Sequence, residues 1–215
     1  ILDLQTPQPA ARSAGVLCSP MKTVLFVDGR NFLGKLEDIF KSEGVAPPSW
    51  HTYNFRGLLD LVLRGIKIDE RIFYFAKIKE HPETKEKSRE LIEGRRLLKA
   101  RLERHGFRVV PSGAVRGHYT TDPKGREVLI FREKGVDVSI AVDMVVAACD
   151  GKLHTAIIAS SDSDLQPAIR ELRKRNIEAI YVGFEIMPNK GLTATTKRMI
   201  LIRNSEALQF KEGLF

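Results

Sequence analysis

At 215 residues the chain is long enough for one well-buried domain with decorations and short for two. Its 43% hydrophobic content is globular, and no apolar run approaches the ~18 residues of a membrane span, which excludes a membrane-embedded class. A net charge of +8 and an isoelectric point near 9.6 favour a polyanionic partner, nucleic acid first. The two cysteines, Cys18 and Cys149, make no metal-ligand spacing and fit a reducing cytoplasm.

Residues 1–20 are rich in Pro, Ala and Ser and lack both periodicity and the basic-then-apolar order of a secretory signal. They read as a flexible leader or a remnant upstream of a natural start near Met21, leaving 21–215 as the domain. Lys22 to Val27 reads as a first, buried strand, followed by a loop carrying Asp28, Gly29, Arg30 and Asn31. Phe32, Leu36, Ile39 and Phe40 are spaced for the buried face of a helix ending near Lys41. A Pro47-Pro48 break separates it from a second helix over Asn54 to Leu63, and Arg71 to Ile78 is apolar enough for a central strand.

Glu83 to His105 reads as a highly charged helix, mostly a solvated face laced with ion pairs, with an excess of basic residues able to meet phosphates. After a strand over Phe107 to Pro111, Ser112 to Arg126 holds three glycines and a proline among Arg116, His118, Tyr119, Lys124 and Arg126. That composition suits a mobile loop or hairpin gripping a nucleic-acid backbone, with Arg116 on the substrate; a polar hairpin with no partner suits it equally. Val128 to Phe131 leads to Lys134-Gly135-Val136-Asp137, and Asp137 opens the most apolar helix of the chain, ending at Cys149. This helix is expected to be buried, its cysteine a buried thiol. Asp137 sits where the helix dipole favours a carboxylate, so an ordinary cap also accounts for it. Asp143 lies about 240° around the helix from Asp137 and is expected to hold Lys134 or a backbone group.

Thr155 to Ala159 is a further buried strand, and Ser160-Ser161-Asp162-Ser163-Asp164 follows it directly. Leu165 to Lys174 reads as an amphipathic helix with Asp164 as its cap and Pro167 in its tolerant first turn. Ala179 to Val182 is another strand, Leu192 to Met199 a short basic helix, and Ile200 to Ile202 a terminal strand or tail. An Asp-x-Asp pair alone is as well explained by a capped turn. Three acidic positions beside hydrophobic elements are a different matter. Two unit charges about 4 Å apart repel by roughly 4 kcal/mol at an effective dielectric of 20. A cation removes that penalty, and ligands made only of oxygen suit magnesium or manganese.

The order Val27-Asp28-Gly29-Arg30-Asn31, then Lys134-Gly135-Val136-Asp137 with Asp143, then Ser160-Ser161-Asp162-Ser163-Asp164-Leu165 resembles the NYN domain family, a branch of the PIN-like nuclease superfamily. The resemblance covers Met21 to Ile202. It implies an α/β fold, a Rossmann-like, mostly parallel central sheet flanked by helices. It also implies a metal-dependent ribonuclease centre holding Mg²⁺ or Mn²⁺ on Asp28, Asp137, Asp162 and Asp164. Those ions would activate a water and stabilise charge on the scissile phosphate. Asn31 would orient substrate or water, Lys134 would neutralise a phosphate, and Ser160 and Asp143 would play secondary parts. The implied partner is RNA, single-stranded or structured, with assembly into a homo-oligomer left open. Ser161 stands where the family usually has glycine, and Leu165 where it usually has Phe; neither change removes a carboxylate.

A non-catalytic RNA-binding or regulatory module on the same fold is the alternative from another class. A haloacid-type phosphatase lacks its first-strand Asp-x-Asp, because Gly29-Arg30 follows Asp28. A dinucleotide-binding protein lacks its Gly-x-Gly-x-x-Gly, and the scattered histidines support no Ser-His-Asp triad.

Overall fold

The computed structural model describes residues 20–78, 85–123 and 125–211. Residues 1–19 of the expected leader over 1–20, the start of the charged helix at Glu83, and Lys124 lie outside the described residues. Seven strands form one sheet: β1 (Lys22–Asp28), β2 (Glu70–Lys77), β3 (Arg108–Thr121), β4 (Glu127–Lys134), β5 (Leu153–Ala159), β6 (Glu178–Phe184) and β7 (Arg198–Ile202). Their spatial order is β4-β3-β2-β1-β5-β6-β7, parallel throughout except for the β3–β4 pair.

The helices are α1 (Gly29–Ser42), α2 (Phe55–Val62), α3 (Lys85–Arg104), α4 (Val136–Cys149), α5 (Gln166–Lys174), α6 (Lys190–Thr195) and α7 (Asn204–Gln209). The middle of each central strand is an unbroken apolar run because both its faces are covered. Leu25, Val27, Phe73, Phe75 and Ile157 pack with α1, α2, α7 and the C-terminal half of α3. The alternate residues Val24, Phe26, Tyr74, Ala156 and Ile158 pack with α4, α5 and α6. Every second side chain thus joins the opposite core, as the period of a strand requires.

The chain leaves β1 toward β2 and β3 on one side, and later places β5 on the other side of β1. The crevice where the strand order reverses lies at the C-terminal ends of β1 and β5, the usual ligand position in open α/β sheets. Val27 pairs with Ala159 there, so Asp28 and Ser160 come next on adjacent strands.

Several expectations need correction. The glycine-rich stretch after Pro111 does not leave the sheet: β3 continues to Thr121 and pairs with β4 from Ala114–Lys134 to Thr121–Glu127. It is the hairpin, closed by a turn at Asp122–Arg126, where Asp122 Oδ1 accepts the Arg126 N–H at 2.9 Å. Between Phe75–Pro111 and Lys77–Ala114 the β3 side holds one extra residue, a bulge. Gly113 lies in it at φ +66°, and a Cβ there would stand 2.2 Å from the Lys134 carbonyl oxygen.

The basic helix expected over Leu192 to Met199 is α6, which starts two residues earlier and ends four residues earlier. Asn189 caps it through the Leu192 N–H at 2.9 Å, and the extended Thr196 ends it, which gives Arg198 and Met199 to β7. The terminal segment adds the helix α7. Asp164 does not cap α5; Asp162 caps a single 3₁₀ turn, Ser163–Leu165, that leads into it. The apolar helix α4 is buried on one face only: Val138, Val142 and Val146 are each more than half exposed, and Cys149 is exposed as well. Its apolar residues extend around the whole circumference, so periodicity could not mark which face was inward. Among the described residues no helix is long and apolar enough to cross a membrane.

Candidate metal centre

Asp28 is the last residue of β1 and is 6% exposed. One oxygen caps α1 by accepting the Asn31 N–H at 3.1 Å, and the other accepts the Ser160 hydroxyl at 3.2 Å. Burial is the main influence on its carboxyl, and the nearby Glu133 and Asp162 carboxylates add to it. They outweigh the two hydrogen bonds and push its pKa from 3.8 up to about 6.

Ser160 is buried too, and its oxygen accepts the Asp162 N–H at 3.1 Å, so it ties Asp28 to the turn after β5. Asn31 makes a parallel tie: its side-chain oxygen accepts the Ser161 N–H at 2.8 Å. From the far side, the Asn189 side-chain amide donates to the Ser161 carbonyl at 2.8 Å. The turn carrying Asp162 and Asp164 is therefore gripped by α1, by the end of β1 and by the cap of α6. Asp162 also accepts the Asp164 N–H at 2.9 Å, which sets the two carboxylates on one tight turn.

Asp137 arrives from the opposite direction. Gly135, at φ +84°, turns the chain from β4 into α4 with no side-chain cap, leaving the Asp137 carboxylate in the first turn and half-buried. The cap residue is Gly135, and Asp137 stands in the first turn, where the helix dipole favours a carboxylate. Among the described residues, one oxygen from each of Asp137, Asp162 and Asp164 lies within 4.8 Å of the other two. Oxygens on opposite sides of an octahedral Mg²⁺ are about 4 Å apart, so the spacing of this triad is of the order a metal ion requires. Asp28 is not one of these three, but it lines the same cleft of about 150 Å³ with Arg30, Asn31, Glu133, Gly135, Val136, Asp137 and Asp162.

Glu133 and Arg30 are the lining residues that sequence reasoning missed. Glu133 is the penultimate residue of β4, and its carboxylate accepts the Ala76 N–H at 2.9 Å, at the position in β2 where the register with β3 is interrupted. Its position four residues before Asp137, at the end of a strand, was the available signal. Lys134 is exposed and is not among the residues lining the cleft. Arg116 lies on β3 opposite Arg132, and its side chain is outside those described. Asp143 does not hold Lys134 or the backbone: it accepts the Tyr74 hydroxyl at 2.8 Å, a partner 69 residues away that α4 meets by packing on β2. Burial, with that carboxylate adding to it, pushes the Tyr74 hydroxyl pKa well upward.

A seven-stranded, mostly parallel sheet with carboxylates gathered at its switch point defines a nuclease-like, PIN-type α/β domain. The chain belongs to the NYN domain family, whose model matches residues 22–203. No curated protein matches the chain. Among solved structures it is similar to a protein of unknown function, VPA0982, from Vibrio parahaemolyticus. The sequences are 16% identical and the TM-score is 0.56, over 86% of this chain and 95% of that one. At that identity the likeness establishes the fold.

Proposed function

We propose that this chain is a metal-dependent endoribonuclease, its residues 21–215 acting as one NYN domain in a reducing, cytoplasmic setting. The observation that carries the reading is the triad of Asp137, Asp162 and Asp164 oxygens within 4.8 Å of one another, beside buried Asp28 at the switch point. An all-carboxylate donor set fits Mg²⁺ or Mn²⁺, which when bound activates water and offsets charge on a scissile phosphate.

The chain's own groups have separable tasks. Asp137, Asp162 and Asp164 hold the ion or ions. Asp28, whose carboxyl is pushed up to about 6 by burial, contributes its charge when a cation is present and can hold a proton when none is. Ser160 and Asn31 fix the spacing between the β1 and β5 ends through the bonds already described. Arg30 lies at the cleft edge where the phosphate of an incoming strand would need a cation.

The test is cleavage of labelled single-stranded and structured RNA with Mn²⁺, Mg²⁺ or EDTA, beside Asp162→Asn and Asp28→Asn. Cutting that needs the metal and is lost in both variants is the expected result. RNA binding without cutting, equal in all three proteins, would replace the reading with a non-catalytic binding module.

A further inference from the structure

Beside the acidic cleft, between α1, the segment at 49–51 and α3, lies a second cavity of about 330 Å³. We propose that it is a subsite for one unpaired nucleoside of the substrate strand, with Trp50 and Arg95 in its wall. The proposal rests on the hydrolytic reading above in taking the ligand to be RNA.

Its volume is within the range of small-molecule sites, about 300–1,000 Å³. Leu33, Leu91 and Leu98 supply apolar surface, with Trp50, His51 and Arg95 among them. This pairing of aromatic and aliphatic wall with a few polar groups suits a flat heterocycle better than a charged one. Trp50 is half-buried, and Phe40, Tyr53 and Phe55 hold its ring at centroid distances of 5.7 to 6.3 Å. A ring fixed by three others loses little freedom when a base stacks on it.

Arg95 lines the second cavity and feels the charges of Glu133 and Arg30 in the cleft. Its guanidinium lies 3.7 Å from the centre of the Phe75 ring, and its Nη1 is buried with no hydrogen-bond partner among the described residues. Burial lowers its pKa to about 10; the Glu133 carboxylate in the cleft opposes that shift, and the Arg30 cation adds to it. A desolvated guanidinium nitrogen with no hydrogen-bond partner of its own is poised for an anionic or carbonyl acceptor. Arg30 lines the cleft and Leu33 lines the second cavity, one turn apart on α1. A strand leaving the cleft across that turn would pass Arg30 and Arg95 with its phosphate and bring the next base to Trp50. A base paired in a duplex is stacked inward and could not enter.

Trp50 is the chain's single tryptophan, so its fluorescence reports on this cavity alone. The experiment titrates wild type and Leu91→Glu, in EDTA, with a single-stranded oligouridine and with a blunt RNA duplex, and follows polarisation of labelled strands in parallel. Leu91 is 47% exposed at the rim, so the substitution disturbs no core. The expected result is saturable quenching by the single strand and none by the duplex, with at least tenfold weaker binding in Leu91→Glu. An Arg95→Gln variant should also lose about tenfold and lower the salt dependence by about one phosphate contact. Binding by polarisation with no change at Trp50, or equal affinity in Leu91→Glu, overturns the subsite and leaves the hydrolytic reading standing. Quenching that Leu91→Glu abolishes, in a protein that never cuts RNA, upholds the subsite and overturns hydrolysis.

Discussion

Asp28→Asn should stabilise the metal-free fold at alkaline pH. Burial shifts the Asp28 carboxyl from 3.8 to about 6, which corresponds to about 3 kcal/mol between its two protonation states. The folded chain holds this proton more tightly than the unfolded chain does. The group's contribution is therefore fully present below about pH 4 and is lost as the pH rises through about 6. At pH 8 the ionised carboxylate opposes folding by that full amount. Asparagine removes the charge and keeps an acceptor for the Asn31 N–H. It also turns the contact with the Ser160 hydroxyl into one with a different donor, at a cost of about 1 kcal/mol. The net expectation is a gain of about 2 kcal/mol at pH 8 in EDTA that disappears by pH 4. Urea denaturation at pH 4, 6 and 8 measures it, and saturating Mn²⁺ should shrink or invert the gain because the cation favours the ionised carboxylate. A variant less stable than wild type at pH 8, or a difference that ignores pH, would refute the reasoning.

Gly113→Ala should cost at least about 2 kcal/mol in chemical denaturation, because the new Cβ meets the Lys134 carbonyl oxygen at a left-handed φ. Asn31→Ala removes the acceptor of the Ser161 N–H and should destabilise by about 1–3 kcal/mol. The same melts would show it, with Mn²⁺ affinity by calorimetry falling alongside. Tyr74→Phe deprives Asp143 of its hydroxyl donor and should lose about 1–3 kcal/mol while leaving RNA cleavage intact. Cys149→Ser should reduce the count of thiols labelled under native conditions by one per chain, since Cys149 is exposed; unchanged labelling would contradict that exposure.

The strands that carry the acidic cleft were readable because burial on both faces leaves an unbroken apolar run. Val24 to Val27 and Thr155 to Ala159 announce themselves this way, and each is followed directly by a polar turn. The β3–β4 hairpin was half-readable: its glycines look like loop punctuation, yet Gly113 serves a bulge and a close backbone contact inside a continuing strand. The exposed face of α4 left no signature, because valines at 138, 142 and 146 look no different in sequence from the buried Ile140 and Met144. Glu133, Arg30 and the Tyr74 partner of Asp143 depend on which elements become neighbours, and a single sequence carries no local trace of that.

The ties between Asp28 and Ser160, and between Asn31 and Ser161, span 132 and 130 residues of chain. Their length has a bearing on how the protein is born. At about 5–20 residues per second, on the order of ten seconds of synthesis separate the emergence of the two halves of the cleft. During that interval the nascent chain bears Asp28 and then Asp137, while Asp162 and Asp164 have yet to leave the ribosome. The carboxylate triad has no existence until β5 slots in against β1, so any chemistry of the cleft is delayed until the middle of the sheet has closed.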